Sequence, residues 1–229
     1  MNPKITYCFL LVLLIACRFS AQEWQVDLSY KYLYSKQWDK AIQTYNFSRP
    51  FLSEKQSLLR NGLTTSLSYS FKNEKQLKQG INISYCYSRS SAENKNFNNA
   101  FNLHFITMGY LLHFENWEKW KGLYTDFIIS ATSSALFRNL NGESFEYDET
   151  KSKAFGIGGD INFKFGYAIK LNNRSFLSPF VAMGYTPYLY SPNSEAVLNQ
   201  TKGLTSMNWT SIWSTQIGVK AYLREEKNQ

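Results

Sequence analysis

Apolar and polar residues alternate with a period of two over most of eight long stretches of this sequence, whereas the stretch over residues 175–190 is apolar on both faces and leaves its facing open. Successive side chains of a β-strand point to opposite faces, so this alternation predicts strands with one apolar and one polar face. In the longest stretch, Phe163 and Phe165 share one face, whereas Asp160 and Lys164 share the other. The predicted strands cover residues 24–35, 62–72, 80–90, 100–112, 122–138, 154–171, 175–190 and 208–223. The pattern therefore predicts an all-β fold.

Strand length and composition narrow the class of β protein. Most predicted strands exceed the usual five or six residues, and they suit the roughly 9–11 residues with which a tilted strand crosses a membrane. Charged residues make up 18% of the chain and hydrophobic residues 44%, which does not fit a disordered protein. After the N-terminus no apolar run reaches about 18 residues, which argues against membrane-spanning helices. A closed transmembrane β-barrel and a soluble β-sandwich remain as candidates.

The links between the predicted strands alternate in length, and this favours the barrel. Outer-membrane barrels have short periplasmic turns and longer outer loops, and an even number of strands leaves both termini in the periplasm. The links predicted to be long are residues 36–61, 91–99, 139–153 and 191–207, and those predicted to be short are 73–79, 113–121 and 172–174, although 91–99 and 113–121 both have nine residues. The sequence therefore predicts a closed antiparallel barrel of eight strands with both termini periplasmic.

The first link is the longest and has a pattern of its own. Trp38, Ile42 and Tyr45 recur at helical spacing within it. Pro50 should end any such helix, because the residue before a proline is pushed out of the α-helical region. A hairpin in this link would instead raise the strand number to ten.

Aromatic residues gather near the ends of the predicted strands. Tyr and Trp favour a membrane interface because one end of the side chain is apolar and the other is polar. Two rings of such residues would mark the two interfaces of a barrel, although aromatic residues are also common in any sheet. The predicted aromatic girdle comprises Trp24, Tyr34, Tyr85, Tyr167, Tyr188, Trp209 and Trp213.

The N-terminus has the features of an export leader. Lys4 precedes an apolar run over residues 5–16 that is too short to span a bilayer. Cleavage after residue 21 would make residues 1–21 a signal peptide and residues 22–229 the barrel domain. A lipobox-like sequence before Cys17 makes lipoprotein cleavage at that residue the alternative. Both interpretations predict export across an inner membrane.

The leader, the eight alternating strands, the uneven links and the aromatic belts resemble the small eight-stranded outer-membrane β-barrels of Gram-negative bacteria, such as the OmpA membrane domain and OmpX. The resemblance covers nearly the whole chain after the leader and rests on architecture, not on a motif. It implies a monomeric barrel in contact with outer-membrane lipids and lipopolysaccharide. Its outer loops would have a structural or adhesive role, or would join a larger outer-membrane protein complex. Such barrels often end in an aromatic residue, whereas a polar tail follows Tyr222 and Leu223 here.

The charge balance agrees either with an anionic membrane surface as partner or with an ordinary solvated surface that carries a modest positive surplus. The formal net charge of +8 falls to +6 if Lys4 and Arg18 leave with the leader. Nucleic acid is not expected as a partner, because an exported chain seldom meets it and the lysines are scattered along the sequence.

The polar faces of the strands predict a filled lumen. An eight-stranded interior is just wide enough to be occupied by side chains. Buried charges cost several kcal/mol each unless they are paired, so the acids and lysines are expected to form salt bridges that close the barrel. The alternative is a path for protons or ions, which would make the barrel a narrow pore. The predicted polar network of the lumen comprises Asp27, Lys31, His104, Asp126, Asp160, Lys164 and Lys220.

Catalysis is the remaining class of function. A lipid-modifying barrel enzyme would need a hydroxyl or water activated by a histidine that an acid orients. Of the two histidines, His104 is predicted to face the lumen near Ser84 and Asp126, and His113 to lie near a periplasmic turn. Neither is expected to have a catalytic base's geometry, and no cysteine and histidine spacing predicts a metal site. The sequence predicts no enzyme activity and no cofactor, with a lipid-modifying enzyme as the alternative.

Overall fold

The computed structural model describes residues 23–47, 50, 54–74, 77–94, 97–117, 120–141, 153–172, 174–190 and 208–224. Over these residues the chain forms one helix and one sheet. The elements are β1 (Glu23–Tyr34), α1 (Lys36–Phe47), β2 (Asn61–Glu74), β3 (Leu77–Asn94), β4 (Phe97–Trp117), β5 (Trp120–Asn141), β6 (Lys153–Tyr167), β7 (Ile169–Lys170), β8 (Ser175–Tyr190) and β9 (Asn208–Arg224). The predicted leader and both of its cleavage sites lie outside the described residues.

The sheet closes into a barrel. Strands β1 to β6 pair in chain order, β9 pairs with β1 and β8, and β6 pairs with β8, all antiparallel. β7 is a two-residue continuation of β6 that pairs with β8, so the barrel has eight long strands. The predicted closed antiparallel barrel of eight strands is confirmed. Closure pairs each long strand on both sides and leaves no sheet edge open.

The two ends of the barrel differ. β1 begins and β9 ends at one end, which we call the terminal end, and α1 lies at the other, which we call the helix end. Near the helix end β3 and β4 continue well past their predicted limits, with Ser91 opposite Ala100 and Asn94 opposite Phe97. The prediction of a long link over residues 91–99 is therefore wrong. These residues are mostly polar on both faces, so the period-two signal fades although the backbone pairing continues.

α1 follows β1 directly and fills the helix end. Its residues Trp38, Ile42 and Tyr45 are buried on one side, as their helical spacing predicts. The helix ends at Phe47, before Pro50, again as predicted. Because this link contains a helix, the alternative of a ten-stranded barrel is wrong. In the described part of the chain, no helix is both long and apolar enough to cross a bilayer.

The apolar faces of the strands point outward. Ile161, Phe163 and Ile217 expose 44%, 51% and 64% of their surface, whereas Asp160 and Lys164 inside the barrel are each 5% exposed. A soluble β-sandwich would bury its apolar faces between two sheets, so the structure excludes that alternative.

The first half of β4 departs from its predicted facing. Phe101, Leu103 and Phe105 point into the barrel and are buried, whereas Asn102 and His104 point outward. The inward side chains are apolar at this height because they pack in one cluster with α1. The prediction that His104 faces the lumen is therefore wrong.

Candidate functional site in the barrel lumen

Two lysines reach across the lumen to acids on distant strands. Lys164 on β6 bonds Asp27 on β1, and Lys220 on β9 bonds Asp126 on β5. In the strand ladders Asp27 lies opposite Lys220, and Asp126 lies opposite Lys164, so each acid has a lysine on a neighbouring strand as well. All four side chains are buried. We call them the lysine–aspartate quartet, which joins strands that are not neighbours in the sheet.

Close contacts between titratable side chains continue from the quartet toward the terminal end. His113 Nδ1 lies 2.5 Å from Asp126 Oδ1. Lys78 Nζ lies 2.6 Å from Glu23 Oε2 and 2.7 Å from Glu115 Oε2. Polar and charged side chains on β1, β3 and β4 therefore occupy the lumen below the quartet.

Sequence reasoning missed this lower layer. Lys78 and Glu115 lie in residues predicted to be turns, and His113 follows a run that is apolar on both faces, where period two does not define the facing. One available signal was the parity of β3, because counting back in steps of two from the inward residue Asn82 reaches Lys78.

The predicted residues Lys31 and Asp160 lie in the middle of the barrel. Asp160 accepts a hydrogen bond from Thr186 Oγ1 at 2.6 Å, and buried Lys31 has no direct ion pair with a described residue. Both line a cavity of about 20 Å³, which is enough for a water molecule. The other lining residues are Ser29, Thr64, Ser66, Asn82, Ser84, Thr107, Ile128, Asn162, Lys164 and Gln216. The middle of the lumen is therefore polar.

An apolar layer closes the helix end. Tyr188 belongs to this layer. Its ring centroid lies 6.5 Å from that of Trp38 and 6.2 Å from that of Phe105, and its hydroxyl group forms a hydrogen bond with Ser134. The prediction that Tyr188 lies in the outward girdle is wrong, because it fills the space between α1 and the barrel wall. The layer comprises Leu33, Trp38, Ile42, Tyr45, Leu59, Cys86, Phe101, Leu103, Phe105, Leu136, Ala154, Tyr188 and Ile212.

Hydrogen bonds fasten α1 and the segment after it to the wall. Asn46 Nδ2 donates to Gln56 O at 2.9 Å, and Gln56 N donates to Asn46 Oδ1 at 2.8 Å. From β4, Asn99 Nδ2 donates to Tyr45 Oη at 2.8 Å and to Gln56 Oε1 at 3.1 Å. The helix is therefore fixed by specific polar contacts as well as by apolar packing.

Arg60 connects the start of α1 to the outward aromatic residues. Its Nη2 donates to Asp39 Oδ2 at 2.6 Å, and its Nη1 donates to Tyr32 Oη at 3.1 Å. Its guanidinium carbon lies 4.9 Å from the ring centroid of Tyr34. Burial raises the pKa of the Asp39 carboxyl above its ordinary value, and Arg60 acts in the opposite direction. The contacts hold α1 against the rim at which β1 ends.

Outward tyrosines bond polar side chains on neighbouring strands near both ends of the barrel. Near the helix end, Tyr85 Oη and His104 Nδ1 lie 2.7 Å apart. Near the terminal end, Tyr110 Oη donates to Gln79 Oε1 at 2.5 Å. Apart from Tyr188, the residues of the predicted girdle lie on the outward surface: Trp24, Tyr34, Tyr85, Tyr167, Trp209 and Trp213. Polar groups therefore border the apolar outward surface toward the helix end and toward the terminal end of the barrel.

One histidine does have an orienting acid. The expectation that neither histidine has such geometry is wrong for His113, which Asp126 contacts through Nδ1. The Nε2 atom of His113 has no hydrogen-bonding partner among the described residues, and Glu115 Oε2 lies 3.8 Å from it. A catalytic triad requires a nucleophilic hydroxyl at that nitrogen. The described residues also contain no group of three or more His, Cys, Asp or Glu residues placed to hold a metal ion.

Comparisons with known proteins yield distant structural similarity. No protein-family model and no curated protein matches the chain. The chain is similar to neisserial surface protein A, with 11% sequence identity and a TM-score of 0.46 over 89% of this chain and 97% of that one. It is also similar to Ail of Yersinia pestis in complex with the heparin analogue sucrose octasulfate, with 10% identity and a TM-score of 0.44 over 88% and 98% of the two chains. The chain is similar as well to the outer membrane protease OmpT of Escherichia coli, with 8% sequence identity and a TM-score of 0.39 over 91% of this chain and 98% of that one. Similarity at this level does not assign a function.

Proposed function

We propose that this chain is an integral outer-membrane protein with a closed lumen and a structural, adhesive or complex-associated role. The observation that carries the proposal is the apolar outward surface of a closed barrel. Leu28, Phe163 and Ile217 lie on three different strands and expose more than half of their surface, at 58%, 51% and 64%. Soluble monomers rarely expose a contiguous apolar surface above a few hundred Å², whereas lipid tails would cover it. A closed barrel also satisfies its backbone hydrogen bonds internally, which a bilayer requires.

The side chains that occupy the lumen support a barrel without a pore. The lysine–aspartate quartet and the pairs around Lys78 occupy its lower part, and the apolar layer around α1 occupies its upper part. Both layers are made of side chains that contact each other directly. We therefore propose a membrane anchor that does not conduct, and we propose no catalytic role for its histidines.

The asymmetry of the ends suggests which part of the molecule meets partners. We place the terminal end in the periplasm, because every link there is short, whereas at the helix end only the link from β3 to β4 is short and the other three are long. The helix end would then face outward, with the links from β5 to β6 and from β8 to β9. The apolar layer makes this end a firm platform for loops that contact lipopolysaccharide, a matrix or a larger membrane complex.

Refolding into lipid vesicles tests the proposal. The protein is expected to co-sediment with the vesicles and to migrate differently on a gel before and after boiling, as a closed barrel does. Recovery in the soluble fraction without a mobility shift would contradict membrane insertion.

A further inference from the structure

A polar cluster interrupts the apolar outward surface on β3 and β4. Its centre is His104, whose Nδ1 lies 2.7 Å from Tyr85 Oη. Beside it, Tyr87 Oη donates to Asn102 Oδ1 at 2.8 Å. Arg89 lies opposite Asn102 in the ladder and is exposed. All five side chains point away from the lumen.

Two side chains of this cluster, Arg89 and His104, have nitrogen atoms without a hydrogen-bonding partner among the described residues. Within the described residues the Arg89 guanidinium has no hydrogen-bonding partner, and the Nε2 atom of His104 has none either. The His104 ring is held in place, because its centroid lies 5.1 Å from the Tyr87 ring and 5.4 Å from the Phe137 ring. The cluster therefore presents a positioned imidazole near an exposed guanidinium.

The height of the cluster indicates what it meets. Ten residues separate Arg89 from Gln79, which takes part in the polar pair at the terminal end. At about 3.3 Å per residue and a tilt of about 40°, they lie about 25 Å apart along the barrel axis, the height of the apolar band of such barrels. Going from Gln79 toward Arg89, the outward residues are first apolar on both strands and then belong to the cluster itself, with Tyr85, Tyr87 and His104. The apolar ones are Ile81, Ile83, Ile106 and Met108. Arg89 and His104 thus lie where the acyl chains end and the headgroups begin.

We propose that Arg89 and His104 bind the phosphate of a lipid headgroup in the outer leaflet, with Tyr85 and Asn102 bordering the site. The inference rests on the proposed membrane insertion with the helix end outward. A guanidinium matches two phosphate oxygens at once, and its hydrogen bonds to an anion are stronger than those between neutral groups. The apolar surface formed by Ile106 and Met108 below the site would carry the acyl chains.

Histidine NMR tests this site directly, because the chain has two histidines and the other, His113, is fully buried. Labelled protein in zwitterionic detergent micelles would be titrated with bisphosphorylated lipid A and with dephosphorylated lipid A of the same acyl chains. The His104 signal, assigned by its loss in His104→Gln, is expected to shift saturably with the phosphorylated lipid, while the His113 signal stays in place. The dephosphorylated lipid and inorganic phosphate are expected to bind at least about tenfold more weakly, since each lacks half of the contacts.

Two variants complete the test. Arg89→Gln is expected to weaken binding of the phosphorylated lipid by about tenfold or more, because one charge-assisted contact is lost. Lys170→Gln is the control, because Lys170 is an exposed lysine on β7 at the terminal end. Equal responses to both lipids, an equal response to inorganic phosphate, or unchanged binding in Arg89→Gln would overturn the site.

The boiled and unboiled gel separates this inference from the proposed function. A heat-modifiable barrel that inserts into vesicles but does not distinguish the two lipids would overturn only the headgroup site. A protein that does not insert would overturn both.

Discussion

At the residue scale, the quartet shows how charges are accommodated inside a narrow barrel. Asp27 and Asp126 each lie opposite one lysine in the ladder yet bond the lysine that reaches from across the lumen. A lysine side chain is long enough to span the interior, so its ammonium group meets an acid on a strand that backbone hydrogen bonds do not reach. The pairs therefore link opposite walls of the barrel.

Removing one member of the quartet should be costly. Lys164→Met removes the lysine that bonds Asp27, while the lysine opposite Asp27 in the ladder, Lys220, bonds Asp126. The variant is expected to lower the free energy of unfolding by about 3–5 kcal/mol. Adding Asp27→Asn to it should recover much of the loss, because the uncompensated charge is gone. Urea unfolding in detergent micelles measures both variants, with exposed Lys170→Met as the control. A Lys164→Met variant as stable as the control would show that the buried pair is unimportant.

The direction in which neighbouring side chains of β6 point gives a second prediction at the residue scale. Ile161 points to the proposed lipid side, and its neighbour Asn162 is buried in the lumen with Oδ1 unpaired among the described residues. Ile161→Lys is expected to cost about 2–4 kcal/mol near the bilayer midplane. Asn162→Ser is expected to cost less than about 1 kcal/mol, because it removes no described hydrogen bond of Oδ1. Refolding titrations in vesicles compare the two, and equal costs would mean that the facing is wrong.

At the element scale, α1 decides how the upper barrel is packed. Its buried side presents Trp38, Ile42 and Tyr45 to apolar residues of the wall, whereas Thr44 on its other side is exposed. A lone helix of this length is marginal in water, so its stability comes from this packing.

The helix therefore offers a matched pair of substitutions. Ile42→Ala removes a fully buried side chain and is expected to lower the free energy of unfolding by about 2–5 kcal/mol. Thr44→Ala on the same helix is expected to change it by less than about 0.5 kcal/mol, as is usual for surface sites. Denaturant unfolding followed by circular dichroism measures both. Similar small effects would indicate that α1 does not pack inside the barrel.

At the scale of the whole molecule, closure comes from two layers of different chemistry. Paired charges fill the terminal half, and an apolar cluster fills the helix end. Either layer blocks the lumen, and eight strands leave little spare interior volume.

Conductance measurements check this double closure. In planar bilayers the protein is expected to show no steady openings. The double variant Ile42→Ala, Tyr45→Ala, which loosens only the apolar layer, is expected to remain closed because the quartet is intact. Stable openings of porin size in the unmodified protein would contradict the closed lumen.

The sequence alone determined the barrel and most of its facing. In β6, alternation over residues 154–171 predicted Phe163 and Phe165 on one face and Asp160 on the other, because side chains of a pleated strand alternate between its faces. The prediction of a membrane barrel then turned the apolar face outward. The spacing of Trp38, Ile42 and Tyr45 likewise predicted the helix that excludes a ten-stranded barrel. These are local properties of the backbone, so a local pattern is enough to predict them.

Only the tertiary structure decided what lies inside the barrel. Period two separates an apolar face from a polar one but does not say which is inside, and beside α1 the apolar face turns inward. This is why Phe101, His104 and Tyr188 lie opposite to their predicted positions. The partners of Lys164 and Lys220 could not be predicted from the sequence either, because barrel closure brings together strands that are far apart in sequence. Which charges meet in the lumen depends on that closure and on the length of the side chains. The sequence pattern of a single strand predicts neither the closure nor the partners.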